Sequence, residues 1–171
     1  DLPLEYAYRF IDIILDDPNP IGIEKAKEWM LQQGLILDFI GGEPLRKPQL
    51  IDDILEYYIV SSAMKQHRWA TRWRASLSTN GTQFDEPGVK DLLMKYKGNL
   101  SFGVSVDGCP EVHNKNRGNS IDAILKNWDW YLSHIGVSRA TTKSTLNLDS
   151  IPYLYKSLKF LHEDLQLYLL R

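Results

Sequence analysis

Cysteine is almost missing: Cys109 is the only one in 171 residues. A lone thiol makes no intramolecular disulfide and no cysteine-only metal site, and its rarity fits a reducing, cytoplasmic setting. A surplus of either charge is missing too. Twenty Lys and Arg stand against 22 Asp and Glu, a net charge of −2, which leaves no electrostatic footprint for nucleic acid or an anionic membrane. No apolar run approaches the ~18 residues of a membrane span, and no signal-peptide pattern follows Asp1. His67, His134 and His162 share no ligand spacing and read as surface or capping residues. No Gly-x-Gly-x-x-Gly or Walker loop is present, which argues against an unrelated nucleotide-binding module. The local basic cluster of His67, Arg68, Arg72 and Arg74 reads as a solvated helix end ahead of a phosphate patch.

What is present is a regular alternation of two periods. Leu4, Ala7, Tyr8, Ile11, Ile14 and Leu15 recur at helical spacing, and the Pro18-Asn19-Pro20 segment ends that helix. A second helix is expected over Glu24–Gln33. Leu35–Ile40 is a short apolar run stopped by Gly41-Gly42 and reads as a strand buried on both faces, as in parallel sheets. Helices follow over Leu50–Met64, Pro87–Tyr96, Asn119–His134 and Ser150–Glu163. Strands are expected over Trp73–Ser78, Leu100–Val106 and Val137–Leu146, with a fifth opening at Leu165–Leu170. Strand starts 30 to 40 residues apart, with a helix between, suit repeated βα units. The expected class is α/β, a partial (βα)n barrel of parallel strands, since a closed eight-fold barrel takes about 250 residues.

Ligands of parallel α/β folds bind at the carboxyl ends of strands. Here those ends are small or polar: Gly41-Gly42-Glu43-Pro44, Ser78-Thr79-Asn80-Gly81 and Ser105-Val106-Asp107-Gly108. Each alone is ordinary turn chemistry; in succession they point to one shared site. The two glycines allow close backbone approach. Glu43 can accept from an ammonium group, Ser105 and Asp107 can take hydroxyls, and Arg117, in the loop after the third strand, can clamp a carboxylate. Lys143, on the fourth strand, either points into the site or is a solvated strand residue. Trp128, Trp130 and Tyr131 read as helix packing, His113 as a structural loop residue and Cys109 as a small turn or core residue.

Phe39-Ile40-Gly41-Gly42-Glu43-Pro44-Leu45 resembles the Gly-Gly-Glu-Pro segment of radical S-adenosylmethionine (SAM) enzymes. Ser76–Thr82 resembles their Thr-Asn-Gly strand end, and Ser105-Val106-Asp107-Gly108 with His113 and Arg117 resembles their next strand. The ordered set is similar to the branch of anaerobic sulfatase-maturating enzymes and ribosomal-peptide maturases. The resemblance covers about residues 6 to 165. It implies iron–sulfur, 4Fe-4S, metal-binding oxidoreductase chemistry: reductive SAM cleavage, an external electron donor, and hydrogen abstraction from a peptide or protein substrate. By the resemblance, Gly41, Gly42 and Glu43 hold the methionine end of SAM. Ser105 and Arg117 contact its carboxylate or ribose, and Asn80 and Asp107 shape the loops or touch it.

One departure matters most. That family holds its cluster with cysteines spaced C-x3-C-x2-C, and this chain has only Cys109, at an unmatched position. The expectation is a piece of the core domain, residues 1–171, covering about strands two to five. The cluster loop and the C-terminal auxiliary domain would lie outside it, with truncation at both ends. The parent would be the enzyme and the isolated chain inactive. The alternative is a cluster-less, non-catalytic peptide-binding or scaffold protein of the same fold.

Overall fold

The computed structural model describes residues 3–16, 34–135 and 141–167. Helix α1 (Leu4–Asp16) buries Ala7, Ile11, Ile14 and Leu15, a stripe at helical spacing. Strand β1 (Leu35–Phe39) leads into a short 3₁₀ turn (Pro44–Arg46) and then α2 (Pro48–Met64). Pro48 is tolerated in the first turn of α2, where its missing N–H would have no helical partner. Strand β2 (Trp73–Thr79), α3 (Val89–Lys95) and β3 (Leu100–Ser105) follow. Next come α4 (Pro110–Arg117), α5 (Ile121–Leu125) and α6 (Trp128–Ile135), then β4 (Thr141–Lys143). The last stretch is a 3₁₀ turn (Leu148–Tyr153), α7 (Leu154–Lys159) and a π turn (Phe160–Asp164).

The strands form one sheet in the order β1-β2-β3-β4, every neighbouring pair parallel. Spatial order follows chain order, so the described sheet has no switch point. Register places Leu37 beside Ala75, and Phe39 beside Leu77 and Phe102. This row faces the helices. Ala75, Leu77, Phe102 and Val104 are buried there with Phe84, Leu93, Ile124 and Tyr131. Leu37 and Phe39 also pack on a second cluster made by α1 and α2, where Ile11, Ile14, Ile54 and Tyr58 meet. The rings of Tyr8 and Tyr57 stack at 3.9 Å across α1 and α2, and the Tyr57 hydroxyl donates to Asp12 at 2.9 Å.

The opposite row is different. Asp38 aligns with Ser76 and Ser101, Ser78 with Gly103 and Thr141, and Ser105 with Lys143. These residues are polar or small, and the described helices leave them uncovered. Ile36 is 65% exposed and Ile40 67%. The expectation that β1 is buried on both faces is therefore corrected: only Leu35, Leu37 and Phe39 are shielded, and Asp38 stands with Ile36 and Ile40 on the open side.

Other differences have local causes. The stretch after β3 that reads as a loop is α4, whose buried residues are only Val112 and His113, too few apolar positions to display a period. The helix expected over Asn119–His134 is split between α5 and α6, where Asn127 accepts a bond from the Lys90 ammonium at 3.0 Å. The final helix is a 3₁₀–α–π succession, with Pro152 in its first part. The helix expected over Glu24–Gln33 lies outside the described residues, as do the first part of the fourth strand and the end of the fifth. Residues 165–167 are not strand.

Candidate functional site

The carboxyl ends of β1, β2 and β3 lie side by side, and the expected site residues sit on that rim. Gly41 and Gly42 have φ of +92° and +54°, and a Cβ at either position would meet nothing within 4 Å. Positive φ there favours glycine, and the empty space beside it leaves bare backbone facing outward. The groove around this turn has a volume of about 690 Å³ and is lined by Gly41, Gly42, Glu43, Arg46 and Leu50 among others.

Glu43 caps the 3₁₀ turn and ties β1 to β2. Its Oε1 accepts from the Leu45 N–H at 3.1 Å and from the Thr79 hydroxyl at 2.6 Å. Its Oε2 accepts from the Asn80 N–H at 2.7 Å. Thr79 is buried and in turn accepts from the Gly81 N–H at 3.0 Å. Asn80 turns its amide oxygen back onto the Thr82 N–H and hydroxyl, at 2.9 and 2.8 Å, an Asx turn that shapes the loop. Gly81 is forced: a Cβ would lie 2.7 Å from Val104 Cγ1.

The β3 end is held more tightly still. Asp107 is 2% exposed and receives a bidentate fork from Arg117, Nε to Oδ2 at 2.8 Å and Nη2 to Oδ1 at 3.0 Å. The Thr145 N–H donates to Oδ1 at 2.9 Å, joining the end of β4 to the same carboxylate. Burial pushes the Asp107 carboxyl up, but the hydrogen bonds from Arg117 and Thr145 and the guanidinium charge outweigh it and hold it below its ordinary 3.8. Its own N–H donates to His113 Nδ1 at 3.2 Å, so Nε2 carries the ring proton and donates to the Ser120 hydroxyl at 2.9 Å. Burial, with a smaller contribution from Arg117, holds the His113 imidazole below its ordinary 6.5 despite the nearby Asp107. Gly108 takes φ +125°, and a Cβ there would lie 2.4 Å from the Ser157 hydroxyl, which accepts from the Cys109 N–H at 3.1 Å.

The structure thus brings Gly41, Gly42, Glu43, Asn80, Ser105 and Asp107 onto one rim. Arg117 reaches it from α4 with its guanidinium on Asp107. The Ser105 hydroxyl is half-buried at the end of β3 and meets no partner among the described residues. Sequence reasoning included Thr79 in the polar end of the second strand but gave it no role, and it missed Thr145 and Ser157; all three fix the loops. Thr145 lies just past the end of β4, but Ser157 lies inside α7 and meets the Gly108 turn only through the fold, so nothing in the local sequence marks it.

The iron–sulfur, 4Fe-4S and metal-binding expectation is corrected for this chain. Among the described residues no group of three or more His, Cys, Asp or Glu converges to hold a metal ion. Cys109 is buried as the N-cap of α4, and the carboxylates of Glu43 and Asp107 already accept from neighbouring donors. Soft thiolate ligands for a cluster are not at hand. Nor is any described helix long and apolar enough to cross a membrane. Comparison of the sequence with protein-family models and with curated proteins returns no match.

Proposed function

We propose that this chain is a binding module of the radical-SAM-like type, a partial barrel whose open polar face takes a peptide and whose rim takes the methionine end of SAM, without itself performing radical chemistry. The observation that carries this reading is the joining of an uncovered polar sheet face to a rim of bare glycine backbone at its carboxyl end. Strand order that follows chain order is what a barrel needs, and barrel sites lie at that end.

The donors and acceptors suit an amino-acid head group. A carboxylate offers about four lone-pair sites, and Glu43 uses part of them on Leu45, Thr79 and Asn80. An ammonium group can take what remains, beside the outward-facing backbone of Gly41 and Gly42. Ser105 offers a hydroxyl to a carboxylate or ribose. Arg117 keeps guanidinium N–H groups beyond the pair bound to Asp107. Asn80 and Asp107 hold loop shape. Among the described residues the rim carboxylates of Glu43 and Asp107 already accept hydrogen bonds from neighbouring groups, and that favours the scaffold reading over an enzyme.

A second reading is favoured by the ordered motif set from Gly41 to Arg117. In it the chain is part of a larger enzyme acting on a peptide or protein side chain with an external electron donor, and the cluster is held by residues other than these. The experiment is calorimetric titration with SAM, ATP and NAD, followed by anaerobic incubation with SAM and dithionite and assay for 5′-deoxyadenosine. The module reading expects heat with SAM alone and no 5′-deoxyadenosine. Product formation would replace it with the enzyme reading. Binding of ATP or NAD without SAM would replace both with an unrelated nucleotide-binding fold.

A further inference from the structure

Lys143 occupies an unusual place on the open face. It aligns with Ser105 on β3, yet its ammonium donates to the Ser78 hydroxyl on β2, one strand further on. The side chain therefore lies across β3. Gly103 makes that possible: a Cβ there would already sit 3.7 Å from Lys143 Cε, 3.9 Å from its Cγ and 3.3 Å from the Thr141 hydroxyl. A larger side chain at 103 would fill the slot. The lysine stem is thus laid flat on the sheet, with its charge near the middle of the polar face.

Among the described residues no carboxylate forms an ion pair with Lys143, whereas Asp107 is paired with Arg117, and Lys65, Lys95, Lys115, Lys126 and Lys156 all pair with acids on the outer surface. A neutral hydroxyl uses one of the three ammonium protons and leaves two. Arg74 adds a second cation on the same face, and Asp38, on β1, is the acidic side chain among the aligned residues there.

We infer that Lys143 reads a carboxylate of the bound peptide: the open face selects an extended segment with an acidic side chain and seats that side chain on the ammonium between Ser78 and Ser105. The inference rests on the peptide-binding reading above and adds the substrate class. It also gives Gly103 and Ser78 the role of positioning the lysine.

The test uses the full chain, ¹⁵N-labelled, titrated with acetyl-Ala-Glu-Ala-amide and with acetyl-Ala-Gln-Ala-amide while amide shifts are followed by NMR. The Glu peptide is expected to shift Ser78, Gly103 and Lys143, and to bind about tenfold or more tighter than the Gln peptide, the scale of a charge-assisted hydrogen bond. Lys143→Gln should erase that preference and Lys143→Arg keep part of it. Gly103→Val, which closes the slot, should erase it while the lysine remains. Saturating SAM should leave the peptide shifts in place, and free methionine should not displace the peptide. Equal binding of the two peptides, no binding of either, an unchanged preference in Lys143→Gln, or displacement by methionine would each overturn the inference. SAM shifts at Gly41 and Gly42 are read in the same spectra, so failure at Lys143 is distinguished from failure of the rim.

Discussion

The two faces of one sheet are built from neighbouring residues and do opposite work. Toward the helices, β2 and β3 present Ala75, Leu77, Phe102 and Val104, all buried. Away from them the same strands present Arg74, Ser76, Ser78, Ser101, Gly103 and Ser105. A strand alternates its side chains, so a single segment can stabilise with one set and remain free to bind with the other. Parallel sheets ordinarily hide both faces; an open polar face is therefore the feature here that stability does not account for. The rim joins the two regimes, since Glu43 and Asp107 are anchored by the buried side while Gly41, Gly42 and Ser105 face out.

This contrast predicts a graded series. The largest effect is at Phe102, whose ring meets Phe84 and Tyr131 at centroid distances of 5.8 and 5.1 Å. Phe102→Ala should destabilise by roughly 3–5 kcal/mol, read as a lower denaturant midpoint in urea. Asp107→Asn should cost roughly 1.5–3 kcal/mol, because the Arg117 fork and the Thr145 amide lose a charged acceptor. In an amide-shift titration with SAM it should also weaken the ligand-induced shift at Ser105, which ends β3 two residues before Asp107.

A smaller effect is the pH dependence of His113. Its folded value is depressed, so its contribution is complete above the ordinary 6.5 and is lost as pH falls below it. Protonating Nδ1 removes the acceptor for the Asp107 N–H. Stability should therefore decline from about pH 6.5 downward, with a slope of at most ~1.4 kcal/mol per pH unit for this one group. His113→Gln should flatten that part of the profile. Asp107 acts in the same sense at lower pH: its depressed carboxyl stabilises above 3.8, and the contribution is lost as pH falls through its folded value. The smallest effect is on the open face, where Ser101→Ala should change stability by less than about 0.5 kcal/mol. A loss there comparable to Phe102→Ala would show that something covers this face and would break the contrast.

Much of the sheet was legible because apolar runs stop abruptly at Gly41, Asn80 and Asp107, and turn chemistry marks those ends. The boundaries of β1, β2 and β3 fall within a residue of expectation. The one-sidedness of β1 was not legible. Ile36 and Ile40 are apolar though exposed, so Leu35–Ile40 carries no visible alternation. α4 escaped notice because its residues are polar and its hold on the fold comes from His113 and Arg117 rather than an apolar stripe. At the site, residue types gave the rim, but they could not give partners. Arg117 reads as a clamp for a ligand carboxylate, yet a carboxylate ten residues away in its own chain already occupies its fork. Sequence distance does not display such a pairing, because β3 and α4 must fold back on each other to create it.

The most direct test of the account is a map of amide shifts over the whole chain with SAM and the Glu-containing peptide both present. The account predicts perturbations at Gly41, Gly42 and Ser105 from the first, and at Ser78, Gly103 and Lys143 from the second. Residues of the helix-covered face, such as Leu77 and Val104, should stay close to their free positions. Perturbations centred on α1, α2 or α6, or none at the rim at saturating SAM, would contradict it.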